Sequence, residues 1–120
     1  MTETAIALYT FASGFTWTAY PEYSVPASAS LPYITYTVQE YEWDSMGMMQ
    51  MRLWYKGADY ATINAKIDEI ETAVRYGQKV STESGGLWFY KGEPWCQYQP
   101  SDEVDLKIAY LNFNVHYTTR

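Results

Sequence analysis

The chain carries a single histidine, His116, and a single cysteine, Cys96, so chemistry that needs an imidazole and a thiol together has one pair to draw on. A zinc centre takes three or four such ligands at short spacing, and neither Cys-x-x-Cys nor His-x-x-x-His can be written. A cysteine nucleophile needs a base beside it; Cys96 follows Trp95 in a strand-like run and reads as an inert core thiol. Carboxylates cluster twice, at Asp68, Glu69 and Glu71 and at Asp102, Glu103 and Asp105. The first set falls on the polar side of a helix and the second in a turn, where solvated surface is the plain explanation, and acid–base work would require them to converge in a pocket. Gly85-Gly86 lacks the Lys and Ser/Thr of a phosphate loop and precedes a strand, so it reads as a turn. The expectation is a protein that is not an enzyme, with no catalytic, metal or cofactor residues.

The 120 residues suit one domain spanning the whole chain. Eight Lys and Arg against fourteen Asp and Glu leave a formal charge of -6, and the cations are scattered singly. A nucleic-acid binder needs a basic stripe, so non-specific binding to DNA or RNA is not expected. No apolar run approaches the ~20 residues of a membrane span. The N-terminus shows no charged leader before an apolar stretch, and one cysteine cannot close an intrachain disulfide, which together suggest folding in a reducing cytoplasm. The unusual feature is aromatic: 13 Tyr and 5 Trp. These side chains have an apolar body and a polar tip and suit surfaces exposed in one state and covered in another.

The segments that position these residues follow from periodicity. Ile6, Leu8, Tyr9, Phe11 and Ala12 make a helical stripe from Thr4 to Ser13, with Gly14 as a left-handed cap. Phe15 to Ser30, interrupted by Pro21 and Pro26, reads as an ordered loop with aromatic anchors. Leu31 to Trp43 alternates as a strand, and Met49, Met51, Leu53 and Tyr55 answer it, predicting a long β-hairpin after the first helix with its tip at Asp44 to Met48. Tyr60, Ile63, Ile67, Ile70 and Val74 define a second helix capped by Asp59 and stopped by Gly77, with Lys66, Asp68, Glu69, Glu71 and Arg75 on its polar side. Leu87 to Tyr90 and Trp95 to Tyr98 flank Lys91-Gly92-Glu93-Pro94 as a second hairpin. Leu106 to Tyr117 alternates throughout, with the row Lys107, Ala109, Leu111, Phe113, Val115 and Tyr117 toward the core and Asn112 and Asn114 on a wetted face. The predicted fold is α+β: an antiparallel sheet of four to five strands with two helices packed on one face.

Taken in order, several of these pieces form a pattern. Phe11-Ala12-Ser13-Gly14-Phe15, Tyr20-Pro21-Glu22, Val25-Pro26, Leu31-Pro32-Tyr33-Ile34-Thr35-Tyr36 and Leu53-Trp54-Tyr55 are followed by Ile67-Asp68-Glu69-Ile70, Gly86 to Pro94 and Ile108 to Val115. The series resembles the tail terminator or minor capsid proteins that join head to tail in long-tailed bacteriophages and prophages, and it covers nearly the whole chain. That resemblance implies a structural protein that forms a ring, commonly a hexamer, on the end of the tail tube. Its partners would be further copies of itself, the tail tube protein and the head-completion (stopper) protein, with DNA passing through unheld and no membrane involved. It further implies a place in the virion neck after assembly in the bacterial cytoplasm. Trp17 in the loop, and Tyr41, Trp43, Met46 and Met48 near the hairpin tip, are the candidate interface residues, and the tip is expected to project and to order on assembly. Two alternatives stand beside this one: another neck component, such as a tail-completion or head-closure adaptor, and a monomeric aromatic-rich module that binds glycan or peptide.

Overall fold

The structure, a computed structural model, describes residues 2–119. Its organising element is the last strand, β6 (Leu106–Thr119), whose alternation drives one row of side chains into the interior: Ala109, Leu111, Phe113 and Val115 are fully buried and Tyr117 nearly so. β6 pairs antiparallel on one side with β3 (Met46–Lys56) and on the other with β5 (Gly85–Gln99). Three four-residue strands complete the sheet. β2 (Tyr33–Tyr36) lies antiparallel to β3, β1 (Thr18–Pro21) runs parallel to β2, and β4 (Gln78–Ser81) lies antiparallel to β5. The order β1-β2-β3-β6-β5-β4 makes one mixed six-stranded sheet curled into a half-barrel, with two helices.

The α+β class and the two helices agree with the sequence expectation; the strand count and the purely antiparallel pairing do not. β1 was expected as loop because Pro21 lies in it, but a proline ending a short edge strand removes no ladder hydrogen bond. Its chain then loops out through residues 22–32 and re-enters in the same direction, which makes the β1–β2 pair parallel. β4 is too short for its alternation to register.

Two hairpin expectations are corrected. Leu31 to Trp43 does not form a long arm: only Tyr33–Tyr36 is strand, and the far half of β3 pairs with β6 instead, Met46 opposite His116 and Met48 opposite Asn114. The expected tip does not project, because the Asp44 amide donates to the Tyr117 carbonyl at 2.6 Å and Trp43 stacks on the Tyr117 ring at 3.9 Å. Lys91 to Pro94 is likewise not a turn. β5 continues through it, and a register shift takes five steps along β5, from Lys91 to Cys96, against two along β6, from Phe113 to Leu111. The extra residues form a bulge. Gly92 is required there, since a Cβ would lie 2.8 Å from the Asn112 carbonyl oxygen.

Helix α1 (Glu3–Ala12) begins where the Thr2 hydroxyl accepts from the Ala5 amide, a normal N-cap. It buries Leu8, Phe11 and Ala12, with Phe11 stacked on Phe89 at 3.9 Å and edge-on to Phe113 at 5.3 Å, while Ile6 and Tyr9 point outward. The left-handed residue after it is Thr16 (φ 67°), not Gly14, because a 3-10 turn over Ser13–Phe15 carries the chain one step further. Helix α2 (Ala61–Val74) buries Ile63, Ile67, Ile70 and Val74 against the same sheet face, and the Asp59 carboxylate accepts from the Ala61 amide at its start. Gly77 follows at φ 88°, a left-handed conformation suited to glycine.

Lys66 was expected on the polar side of α2 and is instead 8% exposed. Its ammonium donates to the Phe15 carbonyl at 2.7 Å, the Thr16 hydroxyl at 3.1 Å and the Glu69 carboxylate at 2.9 Å, and lies 5.3 Å from the Trp17 ring centre. All three donors are used, so burial of the charge is compensated. Lys66 thus pins the end of α1 to α2. Replacing it by Met leaves the Phe15 carbonyl without this donor, and Lys66→Met is expected to lower stability by about 2–4 kcal/mol in urea unfolding. A loss below about 0.5 kcal/mol, typical of a surface change, contradicts this role.

Candidate interaction surface

The sheet alternation decides first what the chain does not bring together. Cys96 pairs with Leu111 on the helix-covered face, where burial pushes its thiol pKa up, whereas His116 pairs with Met46 and Trp88 on the opposite face. The Cys96–His116 pair is therefore separated by the sheet itself. Glu69 is held by Lys66 and Glu71 by Lys91 at 2.7 Å, while Asp102, Glu103 and Asp105 are exposed in the β5–β6 connection. Among the described residues no three His, Cys, Asp or Glu side chains gather as a metal site, and no helix is long and apolar enough to cross a membrane.

Both helices occupy one face of the sheet, and the other carries a carpet of aromatic, amide and methionine side chains. Reading along the register, Tyr33, Trp54 and Ile108 form one cross-strand row, Tyr20, Thr35, Arg52, Tyr110 and Gln97 a second, and Gln50 and Asn112 a third. Further on come Met48, Asn114 and Tyr90, then Met46, His116, Trp88 and Lys79. Neighbours on such a face interact directly. Tyr33 stacks on Trp54 at 5.9 Å, the Trp54 indole N–H donates to the Thr35 hydroxyl at 2.9 Å, and Trp88 stacks on Tyr90 at 6.4 Å.

Asn112, expected to be wetted, is only 6% exposed and binds the face together. Its Nδ2 donates to the Pro94 carbonyl at 2.8 Å and to Gln97 Oε1 at 3.4 Å, and its Oδ1 accepts from Gln50 Nε2 at 3.2 Å. Pro94's carbonyl can only accept, which orients the Asn112 amide and, through it, the amides of Gln50 and Gln97. Beside this chain the Arg52 guanidinium lies 4.6 Å from the Tyr110 ring centre, and the Tyr110 hydroxyl donates to Gln99 Oε1. Gln50, Arg52, Gln97, Gln99 and Tyr110 line a shallow depression of about 410 Å³.

The five candidate interface residues fall in three places. Trp17 is half-buried against the core, stacked with Tyr55 at 6.2 Å and close to Lys66. Tyr41 and Trp43 fold back on their own chain: the Tyr41 hydroxyl donates to the Met48 carbonyl at 3.0 Å, and Trp43, still exposed on its outer side, covers Tyr117. Met46 and Met48 alone lie on the uncovered face, each 59% exposed. Sequence reading missed the Arg52 depression. Its signal was available in the alternation of Gln50, Arg52 and Trp54 with the buried Met49, Met51 and Leu53, since one cation in mid-strand is conspicuous there.

No family model, curated protein or solved structure matches the chain.

Two carboxylates couple this architecture to pH. The Tyr117 hydroxyl, donating to Glu3, holds the Glu3 carboxyl below its ordinary 4.5, and Lys91 does the same for Glu71. As pH falls the unfolded chain takes up these protons first, so this stabilisation is complete above about 4.5 and is lost as pH drops through the folded-state values. Removing the hydroxyl with Tyr117→Phe is expected to raise the Glu3 midpoint toward 4.5 in an NMR pH titration of its carboxyl carbon and to move acid unfolding to higher pH. An unchanged Glu3 midpoint rules out the Tyr117 hydroxyl as the cause.

Proposed function

We propose that the protein is a non-catalytic assembly component of a long-tailed phage or prophage, a tail terminator that closes the end of the tail tube as a ring, six copies on the tail, and presents a joint to the head-completion protein. It would act in the virion neck after assembly in the host cytoplasm. The observation that carries this reading is the uncovered sheet face. One face of a six-stranded sheet is closed by both helices, while the other offers Met46, Met48, Trp54, Trp88 and Tyr90 beside amide groups, a mixture suited to burial against other subunits. The exposed methionines add an unbranched, adaptable surface. A net charge of -6 is compatible with DNA passing a ring without being held. The ordered series of motifs across the chain supports the same assignment.

The test is mass in solution by light scattering across a concentration range, with and without purified tail tubes. Collection at tube ends, or a hexamer rising with concentration, is the expected result. Met48→Asp places a charge on the uncovered face without touching the core, so it is expected to leave the unfolding midpoint within about 0.5 kcal/mol of the parent. The same substitution should weaken tube-end binding by about tenfold or more. Binding to the head side but not to tube ends would favour another neck component. A strict monomer that ignores tubes contradicts the assembly reading and favours a module for glycan or peptide.

A further inference from the structure

The depression around Arg52 has a chemical bias that the rest of the uncovered face lacks. The two ion pairs among the described residues, Lys66–Glu69 and Lys91–Glu71, leave Arg52 out, and its Nε is shielded from solvent without an acceptor. Its guanidinium carbon instead lies 4.6 Å from the Tyr110 ring centre, and none of its N–H groups has a hydrogen-bond acceptor among the described residues. The amides around it are oriented in one sense. Gln97 Oε1 is taken by Asn112 Nδ2 and Gln99 Oε1 by the Tyr110 hydroxyl, so each of these glutamines has its NH2 group left to donate. A half-buried cation, two free amide donors and no carboxylate within ion-pair distance make a site short of one thing, an anionic acceptor.

We infer that this depression is a carboxylate-binding subsite, and that its occupant is a glutamate or aspartate side chain on an acidic peptide segment of a partner protein. A planar carboxylate can take two N–H groups from a guanidinium edge, a geometry that a fixed arginine recognises better than a mobile lysine does. The site is shallow and open on the sheet face, so a side chain carried on a peptide can enter it while its neighbours lie along Trp54 and Tyr33. Charge complementarity selects the occupant. Arg52 is an unneutralised cation set in mid-sheet instead of at a solvated end, so the local attraction for a carboxylate has to outweigh the repulsion from the net charge of -6. The inference stands on these side chains and is independent of the tube-closing reading.

The experiment uses the full chain, labelled with nitrogen-15 and free of tail tubes, at low ionic strength where charge pairing is least screened. It is titrated with acetyl-Gly-Glu-Gly-amide, with the matching Gln peptide and with inorganic phosphate. The Arg52 Nε–H signal and the Gln97 and Gln99 side-chain amide signals are expected to move saturably with the Glu peptide at millimolar concentration, with a response about tenfold weaker to the Gln peptide. Arg52→Gln should abolish the response. Gln97→Glu, a change at an exposed position, keeps Arg52 and an oxygen to accept from Asn112 and supplies an internal carboxylate, so it should also abolish it in a chain whose backbone signals change only near residue 97 and its cross-strand neighbours. No response to the Glu peptide, an equal response to the Gln peptide, or a response that survives either substitution overturns the proposal. Saturation by phosphate without saturation by the Glu peptide overturns the carboxylate assignment.

Discussion

The side chain of Asn112 is the interaction on which the uncovered half of the molecule depends. It sits in the middle of the central strand and reaches both neighbours, taking a hydrogen bond from Gln50 on β3 and giving two to Pro94 and Gln97 on β5. The bulge from Lys91 to Cys96 interrupts the ladder between β5 and β6, and the Pro94 carbonyl would lose this donor without Asn112. A buried polar group is costly when unmatched and rigidifying when matched, and here both donors and one acceptor position of the amide tie three strands together. The oriented amides beside Arg52 are a consequence of that tie.

On the covered half the corresponding constraint is Lys66, a charge taken into the junction of two helices and saturated there by a carbonyl, a hydroxyl and a carboxylate. The two constraints divide the labour. Lys66 fixes the helices to each other and holds Trp17 in place, while the Phe11 stack onto Phe89 and Phe113 fixes them to the sheet. With the helix side closed in this way, the aromatic excess that the sequence displays is distributed unevenly: the phenylalanines lie inside, whereas Tyr20, Tyr33, Trp54, Trp88, Tyr90 and Tyr110 line the open face.

Much of this was legible in the sequence, and the misses have identifiable causes. The buried row of β6, the apolar stripe of α2 and the fold class follow from periods of two and 3.6 residues, which pattern reading detects. The four-residue strands β1 and β4 escape because they are shorter than any reliable period, and Pro21 masks the first of them. Gly92, Glu93 and Pro94 look like turn chemistry, yet Asn112, eighteen residues along from Pro94, converts them into a bulge; a contact that distant is invisible locally. Lys66 was misplaced for the same reason, its carbonyl partner lying 51 residues away. Met46 and Met48, expected as interface candidates near a projecting tip, are exposed because they face away from the helices, and no tip projects there.

In the proposed role, the uncovered sheet face is the surface through which this protein joins others. The most direct measurement is oxidative footprinting of Met46 and Met48 in the free chain and in chain bound to tail-tube ends, with the buried Met49 and Met51 as internal references. Fast oxidation of Met46 and Met48 in the free chain and protection of both on binding are expected, with Met49 and Met51 slow in each state. Equal oxidation of Met46 and Met48 in the free and bound chain would place the contact elsewhere and rule out that role for the uncovered face.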